Sequence, residues 1–190
     1  IVYTIFSIIV TGIFGLVYYI MSVKQYRASE YNSIRLISDV KMKKMEDMLE
    51  GMSSVITYFL SDVNILDALQ EFAALDTESY EDLYYDEAAR TIRIKLSTYY
   101  LIDEYYRVIV FNKKGNVVSN TNASYSSYPW KNKVNDRGGS NVILGLHEDD
   151  WGKKEAVSVL SVVKEIQGMD MGYVEVQQDK EAIDKMIADS

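Results

Sequence analysis

The chain has 190 residues, no cysteine, one histidine and a net charge of −8 from 20 basic and 28 acidic side chains. The missing cysteine excludes disulfides, thiolate metal sites and cysteine nucleophiles together. The acidic balance argues against nucleic acid as a partner, because affinity for phosphate comes from lysine and arginine.

The first element is apolar. Residues 1–23 contain no charged side chain, and the first charge is Lys24. A helix over this run is roughly 33 Å long, which matches a bilayer core of about 30 Å. Tyr18 and Tyr19 stand near one end, where aromatic rings favour the membrane interface. The run is longer than the apolar core of a secretory signal, and Ser22 to Ala28 offer no small-residue cleavage site. Residues 1–23 therefore read as a transmembrane helix. Lys24 and Arg27 stand on one flank only, and charge does not orient a span without the other flank.

A long amphipathic helix follows over residues 25–60, with no proline and a single glycine, Gly51. Met45, Met48, Met52, Val55 and Phe59 recur at spacings of three and four and form one apolar stripe. The stripe reads first as packing on the chain's own domain, with a dimer seam of coiled-coil type as the other reading. Nothing breaks the pattern between the span and this helix, so the two read as one rod. A short helix is expected over residues 62–75, capped by Asp62 or Asn64, and a further helix over residues 79–103.

At Tyr105 the period changes. Tyr105–Phe111 and Asn116–Ser119 read as two strands around a turn containing Gly115. Residues 119–145, rich in Ser, Asn, Tyr and Gly and holding the only proline, Pro129, read as a long loop. Strands are expected again over residues 156–163 and 171–177, then an exit helix over residues 180–190 capped by Asp179. Helices first and strands later make an α+β chain: a transmembrane helix (1–23), then one domain (24–190) whose sheet occupies residues 105–178.

No Walker-type, dinucleotide-binding or nucleophile-elbow motif occurs. His147, Glu148, Asp149 and Asp150 form an acidic cluster that reads as a solvated turn, with hard-cation binding as the other reading; no cofactor and no metal are expected. Around the long loop the aromatic density is high. Tyr125, Tyr128, Trp130 and Trp151 lie near Arg137, His147 and Asp149 in sequence, a composition that suits a concave site for a small ligand. Arg137 is of the type that holds a carboxylate in bidentate fashion, and aromatic faces suit sugar rings. The same aromatics also suit closing the open face of a sheet.

The closing stretch Gly172-Tyr-Val-Glu-Val-Gln-Gln178, followed by the helix with Ile183 and Ile187, resembles the N-terminal sensor region of YesM-type bacterial histidine kinases. The strand pair around Val108–Val110 and Gly115 is similar to the PAS-like antiparallel sheet of a single Cache sensor domain. The resemblance implies an extracytoplasmic signal-sensing domain, placed from Gln25 onward outside the membrane, in a two-component sensor histidine kinase. It further implies a homodimer, and either a small-molecule ligand, with sugars a candidate, or an extracytoplasmic binding protein as partner. In that family a second span, a HAMP domain and the kinase domain follow, so this segment is not itself expected to be an enzyme. Tyr128-Pro-Trp130 only loosely matches the amino-acid-binding pattern of Cache domains. The same domain also occurs on chemotaxis receptors and diguanylate cyclases, and a membrane-anchored enzyme or a scaffold remains an alternative to sensing.

Overall fold

A computed structural model of the protein describes residues 2–77, 79–98, 105–121, 134, 139–149, 151, 157–166 and 171–189. Helices α1 (Val2–Leu60), α2 (Val63–Ala74), α3 (Tyr80–Tyr85) and α4 (Glu87–Thr98) come first. Strands β1 (Arg107–Phe111), β2 (Val117–Ser119), β3 (Val142–Glu148), β4 (Ser158–Glu165) and β5 (Tyr173–Asp179) follow, and α5 (Lys180–Ala188) ends the described chain. The fold is α+β. The chain divides into two compact units, residues 1–45 with Ser190, and Glu46–Asp189.

The first unit is the N-terminal part of α1. It holds an apolar window of mean hydropathy 2.0, none of it buried by protein. By length and composition this helix can cross a membrane. Its large side chains, among them Ile5, Phe6, Ile8, Phe14 and Leu16, are exposed around the whole circumference. An all-round apolar surface suits lipid better than water.

The second unit holds the core. Met52, Val55, Ile56 and Phe59 of α1 are fully buried, so the stripe read from the sequence packs within the chain's own domain from Met52 onward. Met45 and Met48 are half-buried. Helix α2 starts at Asp62, whose carboxylate accepts a hydrogen bond from the Asn64 backbone N–H (3.0 Å) and another from Lys95 Nζ (2.6 Å). The Lys95 bond holds the Asp62 carboxyl below its ordinary value, burial opposing. One aspartate thereby caps α2 and ties it to α4.

The single helix expected over residues 79–103 is two. Asp86 ends α3, its N–H bonded to the Asp82 carbonyl, and starts α4, its side chain accepting from the Ala89 N–H at 2.8 Å. Its extended backbone (ψ 134°) cannot continue a helix. Residues 99–104 lie outside the described residues.

All five strands pair antiparallel in the order β2-β1-β5-β4-β3. The strand β3 corrects the sequence reading, which ran the loop on to Gly145 and placed His147 and Glu148 in a turn. Val142-Ile-Leu is short and is followed by Gly145, and its register shifts between Leu144 and His147, so no unbroken alternation marks it. The β1–β2 turn is tied to α2 by a side chain. Asn112, fully buried, donates from Nδ2 to the carbonyls of Phe72 (2.8 Å) and Leu75 (2.9 Å), and its Oδ1 accepts from the Lys114 and Asn116 N–H groups. The β1–β2 turn, with Gly115 at φ 102°, thus supplies donors to carbonyls at the end of α2. Asn112→Ala should cost about 2–4 kcal/mol in denaturant unfolding; a loss under about 1 kcal/mol would mean the turn does not hold α2.

Candidate functional site

Strand β5 lies at the centre of the sheet, and Tyr173 to Gln177 are all buried, so both faces of the sheet are covered there. Side chains alternate along a strand. Val174 and Val176, with Val108 and Val110 opposite them on β1, form one face, which is uniformly apolar. The other face carries Tyr173, Glu175 and Gln177, and opposite them Phe111, Ile109 and Arg107. This face is divided into an apolar half and a polar half.

The apolar half is the cluster of Ile109, Phe111, Val134, Leu144, Trp151, Val163 and Tyr173. Phe111 stacks on Tyr173 with centroids 5.2 Å apart, and Trp151 packs against Phe111 at 4.9 Å. Trp151 is only 1% exposed.

The polar half is a continuous hydrogen-bonded chain. Arg107 Nη1 lies 2.7 Å from both oxygens of Asp149, and the two side chains are 6% and 3% exposed. Arg107 Nε donates to Thr121 Oγ1 (3.0 Å), and its guanidinium lies 4.9 Å from the centroid of the Tyr106 ring. Gln177 bridges the next step, its Oε1 accepting from Arg107 Nη1 (3.4 Å) and its Nε2 donating to Glu175 Oε1 (3.0 Å). Glu175, with no exposed surface, also accepts from Ser161 Oγ (2.8 Å) and from Trp151 Nε1 (2.9 Å). Burial pushes the Glu175 carboxyl above its ordinary value, against the hydrogen bonds from Ser161, Trp151 and Gln177 and the charge of His147. Half-buried His147 completes the chain, with Nε2 3.4 Å from Ser161 Oγ and Nδ1 2.8 Å from the Gly145 carbonyl.

Of the seven residues nominated by sequence, Tyr125, Tyr128, Trp130 and Arg137 lie outside the described residues. The fold brings His147, Asp149 and Trp151 to this one face. Asp149 is committed to Arg107 and to the Trp151 N–H (3.1 Å), and Trp151 is part of the core. Arg107, Ser161, Glu175 and Gln177 were not nominated. A signal existed: polar residues at alternate positions of Tyr173-Val-Glu-Val-Gln177 mark one strand face as polar. Read locally, such a face is solvated, and burial of the second face depends on residues distant in sequence.

His147, Ser161 and Glu175 are not arranged as a catalytic triad. In a Ser-His-acid triad the acid orients the histidine; here Glu175 bonds to Ser161, and Nδ1 of His147 is held by a backbone carbonyl. Among the described residues no three His, Asp or Glu side chains are grouped to hold a metal ion. The face sets buried, mutually hydrogen-bonded polar groups beside an aromatic wall.

No protein-family model matches the chain, and no curated protein does. Solved structures do. The ligand-binding domain of the Pseudomonas aeruginosa amino acid chemoreceptor PctC, in complex with GABA, matches with a TM-score of 0.52 at 11% identity, over 82% of this chain and 66% of that one. The fold is that of Cache-type sensor domains. Weaker likenesses include ligand-binding domains of a Campylobacter jejuni chemoreceptor with 4-methylisoleucine (TM-score 0.45, 13% identity, 82% and 64% of the two chains) and of a Pseudomonas fluorescens chemoreceptor with L-isoleucine (0.45, 13%, 82% and 63%). The chain spans just under two thirds of the length of these structures. At such identities the likeness to this Cache-type fold is one of architecture, and the residues that bind ligand elsewhere do not transfer to it.

Proposed function

We propose that this chain is the extracytoplasmic, signal-sensing segment of a membrane-anchored receptor, and that a small polar molecule is its signal. The observation that carries the proposal is the divided sheet face. Buried polar groups from Arg107 to His147 run beside the aromatic wall of Phe111, Tyr173 and Trp151, on a fold shared with a ligand-binding domain. Small-ligand sites combine apolar walls with a few placed polar groups in this way. The domain, from residue 24 onward, stands outside the membrane on the N-terminal span. Tyr125, Tyr128, Trp130 and Arg137 complete the site with His147, Asp149 and Trp151. Binding acts by its differential affinity for two packings of the domain, and α1 and α5 carry the difference toward the membrane.

Amino acids and related zwitterions are the first candidates, since the neighbour with the TM-score of 0.52 binds GABA. Sugars are the second, on the resemblance of Gly172–Gln178 to YesM-type kinases, and an extracytoplasmic binding protein is the third. That resemblance makes the whole protein a homodimeric sensor histidine kinase. The structural likeness favours a chemotaxis receptor as the other output.

The test is a thermal-shift screen of the full chain in detergent micelles against amino acids, sugars, organic acids and divalent cations. A ligand at 100 times its dissociation constant stabilises by about 2.7 kcal/mol, which raises the midpoint by about 5–10 °C for a chain of this size. A saturable rise identifies the ligand class. No rise with any compound removes the small-molecule reading and leaves the protein partner.

A further inference from the structure

The end of the polar chain at β3 has a property that binding does not require. The Gly145 carbonyl can only accept a hydrogen bond, so Nδ1 of His147 carries a proton. Ser161 Oγ stands between His147 Nε2 and Glu175 Oε1, and it has one proton to give. Two arrangements satisfy all three groups. In the first, Glu175 is ionised, Ser161 donates to it, and a protonated Nε2 donates to Ser161. In the second, Glu175 is protonated and donates to Ser161, whose hydroxyl turns to a bare Nε2. The arrangements hold the same number of protons. They differ only in whether charge is separated, with a buried carboxylate and a half-buried imidazolium, or absent.

We infer that His147, Ser161 and Glu175 share one proton, and that loss of this proton as external pH rises loosens the sheet face on which they lie. Without the shared proton, Glu175 is an ionised carboxylate with no exposed surface, and the Nε2 lone pair of His147 faces the oxygen of Ser161. Three neutral donors remain to Glu175, from Ser161, Trp151 and Gln177, and among the described residues no full positive charge is in contact with it.

The charged groups around the unit, among the described residues, are few. From β1, Arg107 reaches it only through Gln177 and is itself neutralised by Asp149. Glu148 follows His147 on β3 and is exposed. Neither β4 nor β5 places another charged side chain in contact with Glu175; Glu165 of β4 is paired with Lys113 at 2.9 Å. The nearest other titrating group is therefore His147, the one side-chain type whose charge ordinarily changes between pH 5 and 8.

The raised affinity of Glu175 for its proton sets the sign. Its contribution to stability is fully present below the ordinary carboxyl value of 4.5 and is lost as pH rises through the higher value it has when folded. The contacts define the unit, burial of Glu175 gives the direction, and the inference holds whatever the ligand of the face is.

Two measurements on the full chain in micelles test it. The unfolding midpoint of the wild type should fall with rising pH above pH 4.5 more steeply than that of Glu175→Gln, which cannot lose the proton. The same comparison with Ser161→Ala, which removes the bridge between His147 and Glu175, should also change the pH dependence of the midpoint. Midpoint-versus-pH curves parallel to that of the wild type in both variants would overturn the inference. If Glu175→Gln does not fold, the comparison of wild type with Ser161→Ala still decides.

Discussion

Gly172→Ala should lower the free energy of unfolding by about 3 kcal/mol or more. Gly172 has φ 118°, a backbone state that side chains rarely adopt. An added Cβ would sit 2.2 Å from the Phe111 carbonyl oxygen and 2.8 Å from the Asn112 Cα. Both neighbours are backbone, so neither can swing away. Phe111 is paired with Tyr173 in the sheet, and Asn112 is anchored to α2, so a shift in either disturbs β1, β5 and the helix docking together. Chemical denaturation read by circular dichroism measures it. A loss below about 1 kcal/mol would mean that the β1–β5 junction accommodates a side chain, and that Gly172 is not what lets β5 lie so close to β1.

The second large effect concerns Arg107 and Asp149. Replacing either alone by alanine should cost about 3–5 kcal/mol, because the remaining charge is left buried without its partner. The double replacement by Met and Leu should cost much less than the sum of the single losses, since neither charge then has to be desolvated. A double-mutant cycle reads the coupling directly. Asp149 also accepts the Trp151 N–H, so loss of Asp149 is expected to disturb Trp151 fluorescence, whereas loss of Arg107 should do so less. Single losses of under 1 kcal/mol with no coupling would mean that the pair behaves as a surface ion pair. The polar half of the face would then be wet and unsuited to holding a ligand by buried hydrogen bonds.

Much of the architecture was legible in the linear order of residues. Asp62 and Asp179 were readable as caps, and both accept backbone N–H groups at the starts of α2 and α5. The absence of a breaker between the apolar run and the Met-rich stripe is matched by one helix, Val2–Leu60. Asn112-Lys-Lys-Gly115 was readable as a turn and is one. These features depend on neighbours within a few positions, and local physical chemistry decides them.

The features that were missed turn on a competing local cap or on distant partners. Asp86 divides a continuous-looking helix because its carboxylate finds the Ala89 N–H, which competes with the helical conformation it would otherwise adopt. Strand β3 has only a short apolar run and a register shift, and its edge position is made by pairing with β4, some 15 residues further along. Trp151 was readable as an aromatic near a site; that it packs on Phe111 and bonds Glu175 follows from sheet register.

The sequence by itself determined the apolar helix at the start, the α+β order, the caps, the lack of cysteine chemistry and the acidic charge, because each is a property of composition or of spacing within one or two turns. Only the tertiary structure decided which polar residues are buried. Arg107, Asp149, Ser161, Glu175 and Gln177 come from four segments separated by up to 70 positions, and each looks solvated in its own segment. The antiparallel pairing of β1, β5 and β4 sets their side chains on one face, and the cost of burying them is met only because each finds its hydrogen-bond partner there.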